Sequence, residues 1–313
     1  MIVDVQSLSK AYGSVQAVHE LSFRVSPGHI TGFLGPNGSG KSTTMRLMLG
    51  LDHGTGTTLY EGKKLVDHRP VTKVVGSHLD AKFFHPKRTA RAHLRMMGSE
   101  AGVSRARVDE VLELVGLQGV ADKRPGGFSL GMGQRLGLAT AILAEPNVLL
   151  LDEPANGLDP QSIQWLRDFL THYAQRGNSV LVSSHLLSEM QLMADHLVVI
   201  ARGRLIADES MSQFVSRSTK NDVLVRSSDA VRLATELRAQ GLGVAAETPE
   251  ALAVTGAGTD RIGDIAFAAG IAVRELVNRQ ASLEDAFLEL TSESQDFAAG
   301  GDPGAMPADG DAR

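Results

Sequence analysis

The chain contains 0 Cys, which excludes a disulfide framework and a thiolate metal site and makes a reducing compartment its natural home. It also lacks any excess of positive charge: 31 Lys and Arg stand against 36 Asp and Glu, a formal net charge of -5. A surface that tracks a nucleic-acid backbone needs a basic excess, so no nucleic-acid partner is expected, and no block of like charge offsets this. No apolar run approaches the roughly 18 residues needed to cross a bilayer. Met1-Ile2-Val3-Asp4-Val5 has no basic region followed by an apolar core, so a secretory signal is not expected either. The expectation is a soluble chain whose membrane role, if it has one, comes through a partner. What is present is ordinary globular composition, 42% hydrophobic and 21% charged over 313 residues, enough for one large domain and a small one.

The most informative stretch is Gly35-Pro36-Asn37-Gly38-Ser39-Gly40-Lys41-Ser42-Thr43, which matches the phosphate-loop pattern G-x-x-x-x-G-K-[ST]. Ile30 to Leu34 before it reads as a buried strand, and Met45 to Leu49 after it as the start of a helix. Glycines let several backbone N–H groups converge on one phosphate chain, and the helix N-terminus adds partial positive charge. Lys41 is expected to reach the β- and γ-phosphates, and the Ser42 hydroxyl to hold Mg²⁺. The expected ligand is a nucleoside triphosphate. A second element, Leu149-Leu150-Leu151-Asp152-Glu153-Pro154, is an apolar strand ending in two acids. Asp152 would hold the Mg²⁺ through water, and Glu153 would orient and polarise the attacking water.

Residues 1–215 alternate strand-like and helix-like segments, as a P-loop α/β domain should. Val3 to Leu8, Leu21 to Val25, Val148 to Leu151 and Ser179 to Val182 read as strands, the last two apolar enough for a central parallel sheet. Val108, Val111, Leu112 and Val115 fall at helical spacing. Leu197 to Ile200 and Leu205-Ile206 read as a closing hairpin. A polar linker is expected over 216–222, then a small α+β domain of the split β-α-β kind over 223–294. That domain would have strands at 223–225, 251–254 and 271–273, a helix carrying Val231, Leu233, Ala234 and Leu237, and a last helix with Leu283, Ala286, Phe287 and Leu290 on one face. The Gly-, Ala-, Pro- and Asp-rich tail 295–313 reads as disordered.

Between the two phosphate-site elements lies Phe128-Ser129-Leu130-Gly131-Met132-Gly133-Gln134-Arg135. With this segment the chain resembles the ATP-binding subunit of an ABC transporter, and in particular the ABC-2 drug-efflux branch with its bacitracin- and daunorubicin-resistance types. The family signature is LSGGQ followed by a basic residue, Gln and Arg. Ser129 and Gly131 keep that pattern, Phe128 and Met132 depart from it, and Gly133 replaces the basic residue.

The resemblance implies a P-loop ABC-type ATPase fold: a parallel sheet core, an antiparallel β subdomain and a helical subdomain, followed by the small C-terminal domain. It implies ATP as substrate with Mg²⁺, and adenine stacked on Tyr12. It makes Ser129, Leu130, Gly131 and Met132 a signature that acts on the nucleotide of a second copy, head to tail. It places Asp159 in the D-loop, His185 as the switch histidine at the γ-phosphate, and Asp80 where the family usually has Gln. It implies a cytoplasmic chain held on the inner face of the cell membrane by a separate permease. His78, His85 and His93 are expected on the surface facing that permease. Export of a drug, antibiotic or lipid-like molecule is the expected activity. The rivals are an importer ATPase of the same fold, for which the C-terminal extension is the wrong type, and a soluble ABC protein acting on ribosomes or DNA, for which a second ATP-binding domain or coiled-coil insertion is missing. A general P-loop kinase or GTPase would not carry the FSLGM segment.

Overall fold

The computed structural model describes residues 1–80, 84–85, 87–218 and 222–279. Among these the chain divides into two compact units at Ser216/Arg217. The first opens with β1 (Val3–Tyr12), β2 (Val15–Val25), β3 (Ile30–Leu34), α1 (Lys41–Met48), β4 (Thr55–Tyr60), β5 (Lys63–Lys64) and β6 (Val75–His78). A helical stretch follows: α2 (Ala90–Gly98), α3 (Arg105–Leu114) and α4 (Leu130–Ile142). The chain then returns to the sheet through β7 (Val148–Leu151), α5 (Pro160–Gln175), β8 (Ser179–Ser184), α6 (Leu187–Met193), β9 (His196–Ala201) and β10 (Arg204–Ser210), ending on α7 (Met211–Ser218).

The strands of this unit form two sheets, β2-β1-β4-β5 and β10-β9-β3-β8-β7-β6. In the second sheet β3 pairs in parallel with both β8 and β9, while β9 and β10 form an antiparallel hairpin. Every residue of β3, β7 and β8 is buried, as strands covered on both faces must be. The core joins the two sheets: Val3, Val5, Leu8 and Phe23 pack with Phe33, Met45, Leu150, Leu181 and Ile200, and the Phe23 and Phe33 rings stack 5.3 Å apart. On α3, Val108, Val111 and Leu112 are buried as their spacing requires, and Val115 at the C-cap joins them.

The second unit runs β11 (Asp222–Ser227), α8 (Ala230–Ala239), β12 (Gly243–Thr248), β13 (Ala251–Thr255), α9 (Thr259–Ala268) and β14 (Val273–Arg279). Its antiparallel sheet has the order β12-β13-β11-β14, so each strand-helix-strand crossover skips one strand and the two helices have one face of the sheet to cover. Leu233, Leu237, Val225, Val254, Ile262 and Ile271 fill its core.

Several expectations need correction. The segment expected as a linker from Ser216 begins inside α7 and ends on β11, which leaves 219–221, outside the described residues. The helix expected to carry Val231, Leu233, Ala234 and Leu237 is α8, whose buried side takes the last three while Val231 is 79% exposed, since two residues from Leu233 it lies on the opposite side of the helix. The strand expected over 271–273 starts at Val273 and continues to Arg279. The expected last helix, from Ser282 onward, and the tail lie outside the described residues.

Candidate functional site

The loop between β3 and α1 is shaped by glycines that nothing else can replace. Gly40 has φ 107° and its backbone passes so close to β2 that a Cβ would sit 2.4 Å from the Ala17 carbonyl oxygen. At Gly35 a Cβ would sit 2.4 Å from the carbonyl of Ile200. Gly203, in the turn between β9 and β10, braces the loop from outside: its N–H donates to the Ser39 carbonyl (2.8 Å), and its own carbonyl accepts from His19 N–H (2.8 Å). The helix expected from Met45 therefore starts four residues earlier, at Lys41, and brings Lys41, Ser42 and Thr43 into its first turn. The free N–H groups and positive dipole end of α1 face the loop. Beneath it the Ser39 hydroxyl is buried without a hydrogen-bond partner among the described residues.

Lys41 is 6% exposed and already engaged. Its Nζ donates to the carbonyl oxygens of Gly35 (2.7 Å) and Pro36 (3.4 Å) and lies 3.3 Å from Glu153 Oε1. The other oxygen of that carboxylate, Oε2, is 2.7 Å from His185 Nδ1. A carboxylate only accepts, so Nδ1 carries the proton. Glu153 follows β7 in the left-handed region, φ 48°, which costs a non-glycine residue about 1–3 kcal/mol unless its surroundings enforce it. Here they do: Glu153 N–H donates to Ser183 Oγ (2.9 Å), and Gln134 Nε2 donates to the Glu153 carbonyl (3.4 Å). Ser183 Oγ in turn donates to Asp152 Oδ1.

Asn37, Gly38, Gly40, Lys41, Ser42, Thr43, Glu153 and His185, with Ala17 and Asn156, line one cleft of about 310 Å³. Asp152 sits beside it at the end of the same strand. Tyr12 lies outside the cleft: 49% exposed, it donates from its hydroxyl to Asp52 Oδ2 (2.8 Å), which also takes a two-point contact from Arg46 (2.9 and 3.0 Å). The Arg46 hydrogen bond first, then that of Tyr12, holds the Asp52 carboxyl at about 2. Ser129 caps α4, accepting from Met132 N–H (3.2 Å). Leu130 is pressed on Gly157, whose φ is 75°. Asp159 caps α5, accepting from Ser162 N–H (2.8 Å) and from the Ser162 hydroxyl (2.9 Å), and Arg135 Nη2 donates to that hydroxyl (2.7 Å). None of Ser129, Leu130, Gly131, Met132 or Asp159 lines the cleft of its own subunit. Asp80, exposed two residues past β6, does not line it either.

The three histidines do not share a surface. His85 is exposed, but His78 and His93 are each 3% exposed, because α4 covers the strand and helix that carry them. His93 Nε2 meets Thr140 Oγ1 (3.3 Å) and His78 Nε2 meets Gln134 Oε1. Burial pushes the pKa of His78 below the usual histidine range. Gln134, which the sequence offers only as a position within the signature segment, turns out to touch the loop that carries Glu153.

Comparison with known proteins follows this geometry. The sequence profile of a family described as ABC transporter matches residues 18–156, and that of a domain of unknown function, DUF8746, matches residues 221–284. The bacitracin transport ATP-binding protein BcrA of Bacillus licheniformis is 39% identical over 228 residues, covering 70% of this chain and 73% of its own. The Nod factor export ATP-binding protein I of Burkholderia orbicola is 34% identical over 311 residues, covering 94% of this chain and 98% of its own. A solved structure of the ATP-binding subunit of an ABC transporter superposes with a TM-score of 0.63 at 26% identity, over 69% of this chain and 93% of that one.

Proposed function

Because the chain belongs to the ABC transporter family as an ATP-binding subunit, we propose that it hydrolyses ATP to drive export of a drug, antibiotic or lipid-like molecule through a separate membrane subunit. The observation that carries this reading is the meeting of Lys41, Ser42, Glu153 and His185, from three separate parts of the chain, in one cleft at the N-terminus of α1. Export, rather than uptake, follows the functions named for relatives such as the Nod factor export protein. No described helix is long and apolar enough to cross a membrane; in the proposed arrangement the chain works at the inner face of the cell membrane, through the permease.

Each residue has a task that its surroundings suit. The α1 N-terminus and loop N–H groups receive the phosphates, and Lys41 exchanges the Gly35 and Pro36 carbonyls and Glu153 for phosphate oxygens. The donors that would hold Mg²⁺, the Ser42 hydroxyl and the Asp152 carboxylate, are the hard oxygens this ion selects. Mg²⁺ would neutralise charge on the β- and γ-oxygens. Glu153, with His185 holding one of its oxygens, orients the attacking water and takes its proton. Tyr12 offers the face of its ring to adenine while Asp52 fixes its edge.

That last contact is testable by itself. Asp52→Ala is expected to weaken ATP binding a few-fold, the scale of one lost hydrogen bond, and to leave kcat unchanged. A depressed carboxylate pKa keeps its contribution above the ordinary value and loses it as pH falls through about 2, so the effect should be flat across neutral pH. Titration with fluorescent ATP measures it, and unchanged affinity would remove Asp52 from this role.

The signature and phosphate loop of one subunit do not share a cleft, so two copies acting head to tail would complete each site. Ser129→Arg and Lys41→Ala should each be inactive alone, and an equimolar mixture should regain ATPase through one intact composite site. Thermal unfolding of each variant controls for the cap lost at Ser129, about 1 kcal/mol. A mixture of folded variants no more active than its parents would overturn the head-to-tail arrangement.

A further inference from the structure

His78 ends β6, the edge strand against which α4 lies. Its ring occupies the space that Gly137 leaves: a Cβ there would fall 2.1 Å from His78 Cε1 and 2.2 Å from Nδ1. One helical turn earlier on the same face, Gln134 is 7% exposed. The Gln134 Nε2 amide donates to two backbone carbonyls, Glu153 (3.4 Å) and Asn156 (3.3 Å). Carbonyl oxygens only accept, so the NH₂ end of the amide must face them and Oε1 must face the imidazole. His78 Nε2 therefore carries a hydrogen and donates it to Oε1. At the same time the His78 backbone carbonyl accepts from Asp152 N–H (2.8 Å). One buried residue thus holds both acids after β7, the first directly and the second through Gln134.

We propose that His78 is a positioning residue for hydrolysis: by fixing the Gln134 amide it holds the Glu153 backbone in its left-handed conformation and so aims the Glu153 carboxylate. This rests on the reading of Glu153 as the group that activates water. Neither His78 nor Gln134 lines the cleft, so their effect falls on the alignment of Glu153 and not on the binding of ATP. Two further features complete the arrangement. The Glu153 N–H is taken by Ser183, and its carbonyl accepts from both Asn156 N–H (3.1 Å) and the Gln134 amide (3.4 Å). The absence of a side chain at Gly137 leaves the space in which the imidazole sits against α4.

The experiment is a double-variant cycle on the full-length protein, with kcat, KM for ATP and melting temperature measured for each member. His78→Phe keeps a ring and removes the donor. Its kcat should fall about ten- to a hundredfold, the scale of a misaligned reacting group, with KM for ATP unchanged. His78→Gln places an amide N–H at similar reach and should recover most of the loss. Gln134→Met should show the same kcat defect as His78→Phe, and the double variant no further loss, because both act through one bond. If the ring of phenylalanine prevents folding, His78→Asn, smaller and too short to reach Gln134, takes its place in the cycle. A folded His78→Phe or His78→Asn protein with wild-type kcat, or losses that multiply in the double variant, would overturn the proposal. Glu153→Gln run alongside separates the two claims: if it turns over normally the reading of Glu153 fails, whereas an inactive Glu153→Gln beside a fully active His78 variant sinks only His78.

Discussion

Glu153→Gln is expected to lower ATP turnover by about 10²–10⁴-fold, the range for a lost general base, while ATP binding stays equal or tightens. The amide has nearly the shape of the carboxylate, so the left-handed backbone, the Ser183 contact and the Gln134 contact all persist. What is lost is the capacity to accept a proton from water and the negative charge 3.3 Å from Lys41 Nζ. The second loss is what makes the binding prediction specific. In this structure Lys41 must leave Glu153 to reach a phosphate; a neutral neighbour removes that competition. ATP-bound protein should then accumulate as a closed pair, visible as a shift to dimer in size-exclusion chromatography with Mg-ATP. Turnover at the wild-type rate would show that the water is activated elsewhere, and weaker ATP binding would show that the Lys41–Glu153 pair preorganises the lysine instead of restraining it.

The second large effect concerns packing. Gly76→Ala, in the middle of β6, is expected to lower the melting temperature by about 5–10 °C, from overpacking at the upper end of ~1–3 kcal/mol and the few degrees per kcal/mol of a domain this size. The added methyl would lie 1.9 Å from the Ala141 carbonyl oxygen and 2.8 Å from Pro146 Cγ. A flexible side chain can swing aside, but a helix carbonyl moves only with its helix. The strain is therefore passed to α4, which carries the capped Ser129 at one end and Gln134 on the face toward β6, so ATPase activity should fall together with stability. Gly119→Ala is the control: its Cβ meets nothing within 4 Å, and the change should be neutral. Calorimetry on the three proteins decides it. A Gly76→Ala protein melting within a degree of the parent would mean that β6 and α4 yield more easily than a packed strand and helix should.

What could be read in advance was set by locality. The phosphate loop is contiguous, and its glycines, lysine and hydroxyls each have one plausible use, so Gly35 to Thr43 are legible as a unit. The acids at 152 and 153 are nearly so, since an apolar strand ending in two carboxylates has few other uses. Helix α3 declares itself through Val108, Val111 and Leu112, and the β9–β10 hairpin through two apolar runs around Arg202-Gly203. Legibility fails where a residue's partner lies far along the chain. His78 and Gln134 are 56 residues apart; near His85 and His93, His78 reads as part of a polar surface, and only the approach of α4 over Gly137 makes it a buried donor. β12 fails for another reason: Gly243-Val244-Ala245-Ala246-Glu247-Thr248 is an exposed edge strand without an apolar face, and only its pairing with β13 makes it a strand. Periodicity puts the start of α1 late because Lys41, Ser42 and Thr43 are polar, and it cannot see a helix turn that faces a ligand.

The braces around the phosphate loop also order events in time. Every residue of the loop is made early, yet β3 is flanked by β8 and β9, Ser179 Oγ reaches back to the Met1 carbonyl, and Gly203 clasps Ser39 and His19. A nascent chain that has passed Thr43 owns the motif but not the cradle; the cradle closes only when the turn at Gly203 has left the ribosome and the central strand has found both neighbours. Contacts this distant in sequence form slowly. During synthesis the complete nucleotide site is thus expected only once the first unit is nearly whole.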